Sequence, residues 1–171
     1  MTNQPRVERW RAEVAAALRR YAVLPGRAAP TFREALLARA ADEQRLRVTI
    51  EMAVTGSAIL RPDGVPTESF NRYNTNSYPA EALMAAADQL AQAHRGFAET
   101  MKFLGHTKEA EALRSSSNSL DDARSDWVRA NCVVGAYESA AKKCGLDPSV
   151  PSAIIKFEET LAADAGASVA D

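Results

Sequence analysis

Aromatic residues make up only 6% of this chain, and histidine and cysteine number two each. These scarcities remove whole classes of chemistry. His94, His106, Cys132 and Cys144 form no CxxC and no HxxxH. The Glu-x-x-His pair of a di-iron bundle is also missing, because Ala91 stands three residues before His94. No metal site and no cofactor is expected. Neither GxxxxGK[ST] nor GxGxxG occurs, so no backbone cradle for phosphate is encoded. The serines of 115–119 lack the GxSxG elbow of a hydrolase. Without a nucleophile, base and orienter to assemble, no catalytic residue is assigned and no enzyme is expected.

Long apolar runs are absent too. No stretch approaches the ~20 apolar residues that span a bilayer, and no signal peptide is legible. A cytoplasmic protein with no membrane partner is the expectation. Cys132 and Cys144 sit twelve residues apart on one predicted helix. That is about 18 Å of rise, too far for a disulfide between them. Both are read as small apolar residues, buried in a reducing compartment.

Net charge is −1, but its spread is uneven. Residues 1–60 hold ten arginines against six acids, whereas residues 121–171 hold nine acids against five bases. The basic first third is read either as a polyanion-facing surface or as ordinary solvated helix faces. What the chain has in quantity is alanine, arginine and glutamate, a composition that favours helices over strands. At 171 residues it is long enough for one domain with a real core.

The pattern predicts an all-α fold: a long helical hairpin with an extended loop, an N-terminal helix and C-terminal helices. Val7, Trp10, Val14, Leu18 and Tyr21 recur at 3- and 4-residue steps over residues 5–21, one apolar stripe. Pro25-Gly26 and Pro30 then interrupt the chain. Thr31 with Glu34 reads as a capping box that opens a helix to Leu60, with Leu36, Ala40, Leu46, Ile50, Ala53 and Val54 inward. A third helix is predicted from about Tyr78 to Leu104, capped by Ser77 or Asn76. Its Leu83, Ala87, Leu90, His94, Phe97, Met101 and Leu104 fall at alternating 4- and 3-residue steps, a heptad seam. Leu83, Leu90, His94, Phe97 and Met101 are therefore candidates for an oligomer interface, with His94 setting register. His106, after the helix-ending Gly105, is expected to be exposed.

Ser115 to Ser119 reads as a linker. A fourth helix from Ser119 carries Leu120, Ala123, Trp127, Ala130, Val134, Tyr137, Ala141 and Cys144 at 3- and 4-residue steps. A fifth runs over Ser152 to Ala163, and Asp164 to Asp171 reads as a disordered tail. The division expected is thus 1–30, 31–114, 119–163 and 164–171. Ala141 to Gly145 followed by Ser152 is read as an ordinary helical hairpin, with a helix-turn-helix as the rival.

The 61–77 connector exceeds the usual loop length inside a compact domain. Phe70, Arg72 and Tyr73 are candidate partner contacts there. Folding back over the hairpin, or a short β-ribbon of 58–60 with 65–67, are alternative readings. For nucleic acid, Arg6, Arg9, Arg11, Arg19 and Arg20 on the first helix are the candidate phosphate contacts; no base-reading motif accompanies them.

The stretch 31–106 resembles the central oligomerisation region of the small terminase subunits of tailed bacteriophages. The residues that carry the resemblance are Arg61-Pro62-Asp63-Gly64-Val65-Pro66, Tyr78-Pro79-Ala80, Met84 to Leu90, and Phe103-Leu104-Gly105-His106. The resemblance implies a homo-oligomeric ring in a bacterial host's cytoplasm. Such a ring recognises double-stranded viral DNA and presents it to a large terminase subunit that hydrolyses ATP and cuts. It also implies an N-terminal helix-turn-helix, which residues 1–30 depart from by supplying one helix. The resemblance also implies a tail that contacts the large subunit, and by position alone Ser152 to Asp171 is the candidate. The rival expectation is an α-helical adaptor or chaperone without nucleic acid.

Overall fold

The computed structural model describes residues 4–21, 28–60 and 75–169, with side chains described as far as Ser57 before the second gap and Gly166 at the end. Five helices and one short turn account for the regular structure among these residues. They are α1 (Gln4–Arg20), α2 (Phe32–Leu60), a 3-10 turn (Thr75–Ser77), α3 (Ala80–Phe103), α4 (Thr107–Lys143) and α5 (Pro151–Val169). No strand occurs among the described residues, and the fold is all-α as expected. Residues 58–60 belong to α2 and not to a ribbon, and residues 65–67 lie outside the described part. Among the described residues no helix is long and apolar enough to cross a membrane.

Two units make up the chain: Met1–Arg39 with Arg129–Asp171, and Ala40–Val128. The expected breaks at 30, 114 and 119 are thereby replaced by breaks inside α2 and α4. The cause is plain at 115–119. The serine run is helical because α3 supplies partners for its hydroxyls, so they do not compete for their own backbone. Ser117 is fully buried and donates to the Ala91 carbonyl at 3.0 Å. The helix therefore passes straight through the predicted linker.

In the first unit, Val7, Trp10, Val14 and Leu18 of α1 are buried, as their spacing required, while Tyr21 lies past the helix end and is exposed. They pack with Phe32 and Ala35 of α2, Val134, Tyr137 and Ala141 of α4, and Ile154 and Leu161 of α5. Trp10 meets Phe157 edge-on with ring centroids 5.4 Å apart, and Phe32 lies 5.6 Å from Tyr137. Such pairs add about 0.5–1.5 kcal/mol each beyond their burial. The capping box forms as read. Thr31 Oγ1 accepts the Glu34 N–H at 3.2 Å, and Glu34 Oε2 accepts the Thr31 N–H at 2.8 Å. Ala35 is buried here, whereas Ala40, expected inward, is exposed.

Gly145, at φ +81°, ends α4, and the Leu146 N–H reaches back to the Ala141 carbonyl at 2.9 Å. The Asp147 carboxylate then accepts the Ser149 N–H and hydroxyl at 2.9 and 2.7 Å before α5 begins at Pro151. That connection is longer than the 3–4-residue turn of a helix-turn-helix, so the hairpin reading holds. α5 continues to Val169 because Leu161 and Ala165 still face the core, and the tail expected from Asp164 is helical over most of its length. Cys132 and Cys144 are free, and both are half-exposed where burial was expected.

The second unit is three-helical. Leu46, Ile50 and Val54 of α2 pack against Leu83, Ala87 and Ala91 of α3 and Leu120, Ala123 and Trp127 of α4. Nearer the α3–α4 turn, Ala98 and Met101 close on Ala110 and Leu113. Pro79, in extended conformation, precedes α3, and no side chain caps it, so neither Ser77 nor Asn76 does the expected job. The 3-10 turn is tied to α2 instead. Arg47 donates to the Thr75 and Tyr78 carbonyls, and Thr75 Oγ1 donates to Glu51 at 2.5 Å.

Candidate nucleic-acid interface

α1 is built to expose its arginines. Its apolar residues occupy one side, and Arg6, Arg9, Arg11, Arg19 and Arg20 are all exposed. They do not form one stripe. At about 100° per residue, Arg6, Arg9 and Arg20 fall on one flank of the buried side and Arg11 and Arg19 on the other. Two of the five are held within the chain. The Arg6 guanidinium lies 5.0 Å from the Phe157 ring centroid, a cation–π contact. Arg9 Nη2 donates to the Lys143 carbonyl at 2.8 Å, satisfying an acceptor that the end of α4 leaves open. Lys143 in turn pairs with Glu13 at 2.9 Å.

Arg11, Arg19 and Arg20 make no hydrogen bond, ion pair or ring contact among the described residues. Every other described arginine has a partner. Arg33 pairs with Glu159 and Arg39 with Asn131. In the second unit Arg45 pairs with Asp126, Arg47 with Glu43, Arg95 with Asp121, Arg114 with Glu99, and Arg124 with Asp88. The hydrogen bond from Arg124 is the main cause of the lowered pKa of the Asp88 carboxyl, and that from Arg114 of the lowered pKa of Glu99. Arg19 and Arg20 occupy the last turn of α1, where positive charge interacts favourably with the negative end of the helix dipole. The difference between held and unheld arginines is not visible in sequence, because it depends on which carboxylate or carbonyl the fold brings close.

The five seam residues on α3 are placed differently from the heptad reading. Leu83, His94 and Met101 are 0%, 4% and 5% exposed, buried within their own unit. Leu90 and Phe97 are half-buried, and Ala91 and Ala98 take the fully buried positions beside them. Leu104 is exposed, beyond the end of the packed stripe. The stripe shifts because a straight helix repeats every 3.6 residues and drifts from a seven-residue pattern. Burying alanine also lets α3 approach its neighbours closely.

His94 bridges α2 and α4. Its Nε2 contacts Ser57 Oγ, and its Nδ1 lies 2.9 Å from Ser116 Oγ. Ser57 gives its single hydroxyl proton to the Ala53 carbonyl at 3.0 Å. Nε2–H is therefore assigned as donor to Ser57, and Nδ1 as acceptor from Ser116. A general base activating Ser57 would need the opposite polarity. Burial lowers the His94 pKa and keeps the ring neutral. His106 is exposed, as expected. No cluster of His, Cys, Asp and Glu able to hold a metal ion occurs among the described residues. Phe70, Arg72 and Tyr73 lie outside the described residues.

Compared with protein-family models, curated proteins and solved structures, the chain matches none.

Proposed function

We propose that the chain is a non-catalytic, DNA-binding assembly protein of the small terminase kind. In this reading exposed α1 arginines contact phosphates, and copies add their charge together. The supporting observation is the contrast in arginine use: Arg11, Arg19 and Arg20 are unpartnered among the described residues, whereas the other described arginines are engaged within the chain. Held arginines organise the fold; unheld ones are available to a polyanion. Binding of this kind is electrostatic and falls steeply with salt, because each neutralised phosphate releases counterions. Arg6 and Arg9 are supporting positions, already oriented by Phe157 and the Lys143 carbonyl. A large ATPase and nuclease subunit is the protein partner, with α5 as its contact by position. Since Leu83, His94 and Met101 are buried within the chain, joining of copies falls to other surfaces.

The second reading is a helical adaptor that binds protein without nucleic acid. It is favoured by Glu8 and Glu13, which interrupt the arginines on α1. The two separate on a titration with a double-stranded oligonucleotide at low and at physiological salt. Binding that weakens steeply with salt supports the DNA reading; no binding at either salt removes it and leaves the adaptor.

A further inference from the structure

Inside the second unit an open cleft of about 450 Å³ lies between α2 and α4. Its size is within the range of small-molecule sites, about 300–1,000 Å³. Two sets of contacts fix its ends. Arg45 of α2 pairs with Asp126 of α4. Further along α2, Ser57 meets Ser116 of α4 through the His94 ring. Numbering rises on one wall as it falls on the other, so the two helices run antiparallel here. His94, almost fully buried, forms part of the floor.

The cleft differs in polarity between its ends. Towards His94, Met52, Ala53 and Gly56 face Leu113. Gly56 provides the room, since a Cβ there would meet nothing within 4 Å. At the other end stand Arg45 and Ser119, the lining residue of α4 nearest in sequence to Asp126. Arg45 gives one nitrogen to Asp126, and a guanidinium has five N–H donors, so donors remain. The Ser119 hydroxyl has no partner among the described residues. Among those residues no carboxylate lines the cleft. Asp126 and the exposed Asp122 belong to the same helix but lie outside the lining.

We propose that this cleft binds a small carboxylate with a short aliphatic body. The carboxylate accepts from the Arg45 guanidinium and the Ser119 hydroxyl, and the chain lies over Gly56 between Met52 and Leu113. A planar headgroup with two acceptor oxygens matches a guanidinium edge. A phosphate dianion would bring two charges to one cation already shared with Asp126, and no glycine-rich backbone cradle accompanies it. An amine would meet Arg45 and find no acid in the lining. Met52, 70% exposed on the rim, has the flexible thioether that adapts to an apolar chain. The site lies wholly within the second unit and does not rest on the proposed function.

The test titrates the full chain with hexanoate, hexanol and hexylamine, which share a chain length and differ in headgroup. The backbone amide NMR signals of Gly56 and Ser119 report on the cleft. Hexanoate should shift both and saturate at about millimolar concentration, the affinity that so few atoms allow. Hexanol should need about tenfold more, the worth of a charge-assisted hydrogen bond, and hexylamine should not saturate. Arg45→Gln should lower hexanoate to the level of hexanol and leave hexanol unchanged. Gly56→Leu fills the cleft and should abolish binding of both, and the dispersion of the remaining signals shows that each variant keeps its fold. Hexanol or hexylamine binding as tightly as hexanoate overturns the carboxylate assignment, and so does unchanged hexanoate binding in Arg45→Gln. Hexanoate that fails to saturate these signals, or that binds Gly56→Leu as it binds the wild type, overturns the site itself.

Discussion

Glu158 of α5 accepts the backbone N–H of Phe32 at 2.8 Å, capping α2 from a helix more than a hundred residues further along the chain. Phe32 begins α2, where N–H groups have no intrahelical partner, and its own side chain is fully buried. Burial raises the Glu158 pKa above its ordinary value of 4.5, and the Phe32 hydrogen bond only partly opposes this. The stability this group contributes is therefore present below pH 4.5 and is lost as pH rises through the raised value. Glu158→Gln keeps an acceptor without the charge, so it should gain on the wild type as pH rises from about 4 to 7. Glu158→Ala leaves the donor unpaired and should cost about 1–3 kcal/mol. Urea melts across that pH range check both; a Gln variant that falls behind with rising pH contradicts the assignment.

His94 titrates with the opposite sign. Its folded pKa is lowered by burial from 6.5, so its contribution is complete above pH 6.5 and is lost as pH falls toward the folded value. The wild type should therefore be less stable at pH 5.5 than at pH 7.5, and His94→Leu should show a smaller difference between the two. At pH 7.5 that variant should also lose about 1–3 kcal/mol, because the Ser116 hydroxyl is left without its acceptor. An unchanged pH difference in the variant would show that other groups set it.

Two glycines should respond in opposite directions. Gly145 sits at φ +81°, where a side chain is strained, so Gly145→Ala should destabilise by about 1–2 kcal/mol. Gly56 is helical with open space at its Cβ position, so Gly56→Ala should stabilise by about 0.5–1 kcal/mol. Thermal melts of the pair suffice, and equal effects would contradict the local geometry.

The packing of α3 is testable at neighbouring positions. Ala91 is 0% exposed while Leu90 is half-buried. Ala91→Leu should overpack and cost about 1–3 kcal/mol. Leu90→Ala should cost less than the 2–5 kcal/mol typical of a buried leucine. If Leu90→Ala is the costlier change, the alternating seam read from the sequence is the correct one.

Helix existence was legible in the sequence because period and caps agree. On the fourth helix the stripe read from Leu120 to Ala141 is buried, with its last member Cys144 only half-buried, and the Thr31–Glu34 box forms. What stayed hidden depends on tertiary partners. Ser115 to Ser119 has the composition of a linker, yet the Ala91 carbonyl and the His94 ring satisfy Ser117 and Ser116 inside a helix. Leucine outweighed alanine in reading α3, although close helix approach favours the smaller side chain at the buried line. For the candidate interface, the sequence marked all five α1 arginines alike. The fold separates Arg6 and Arg9, held by Phe157 and Lys143, from Arg11, Arg19 and Arg20. The 90% exposure of Phe103 was missed as well, because nothing in its neighbours distinguishes a filled core beneath the α3–α4 turn from an open one.

The central claim is that unheld arginines on α1 carry DNA binding, and the salt dependence of affinity tests it most directly. Log affinity for a double-stranded oligonucleotide, plotted against log salt, has a slope of about −0.9 per phosphate neutralised. Replacing Arg11, Arg19 and Arg20 together with Gln should weaken binding at low salt and make the slope shallower by about 2–3. Binding with the same affinity and the same slope in that variant would contradict the claim.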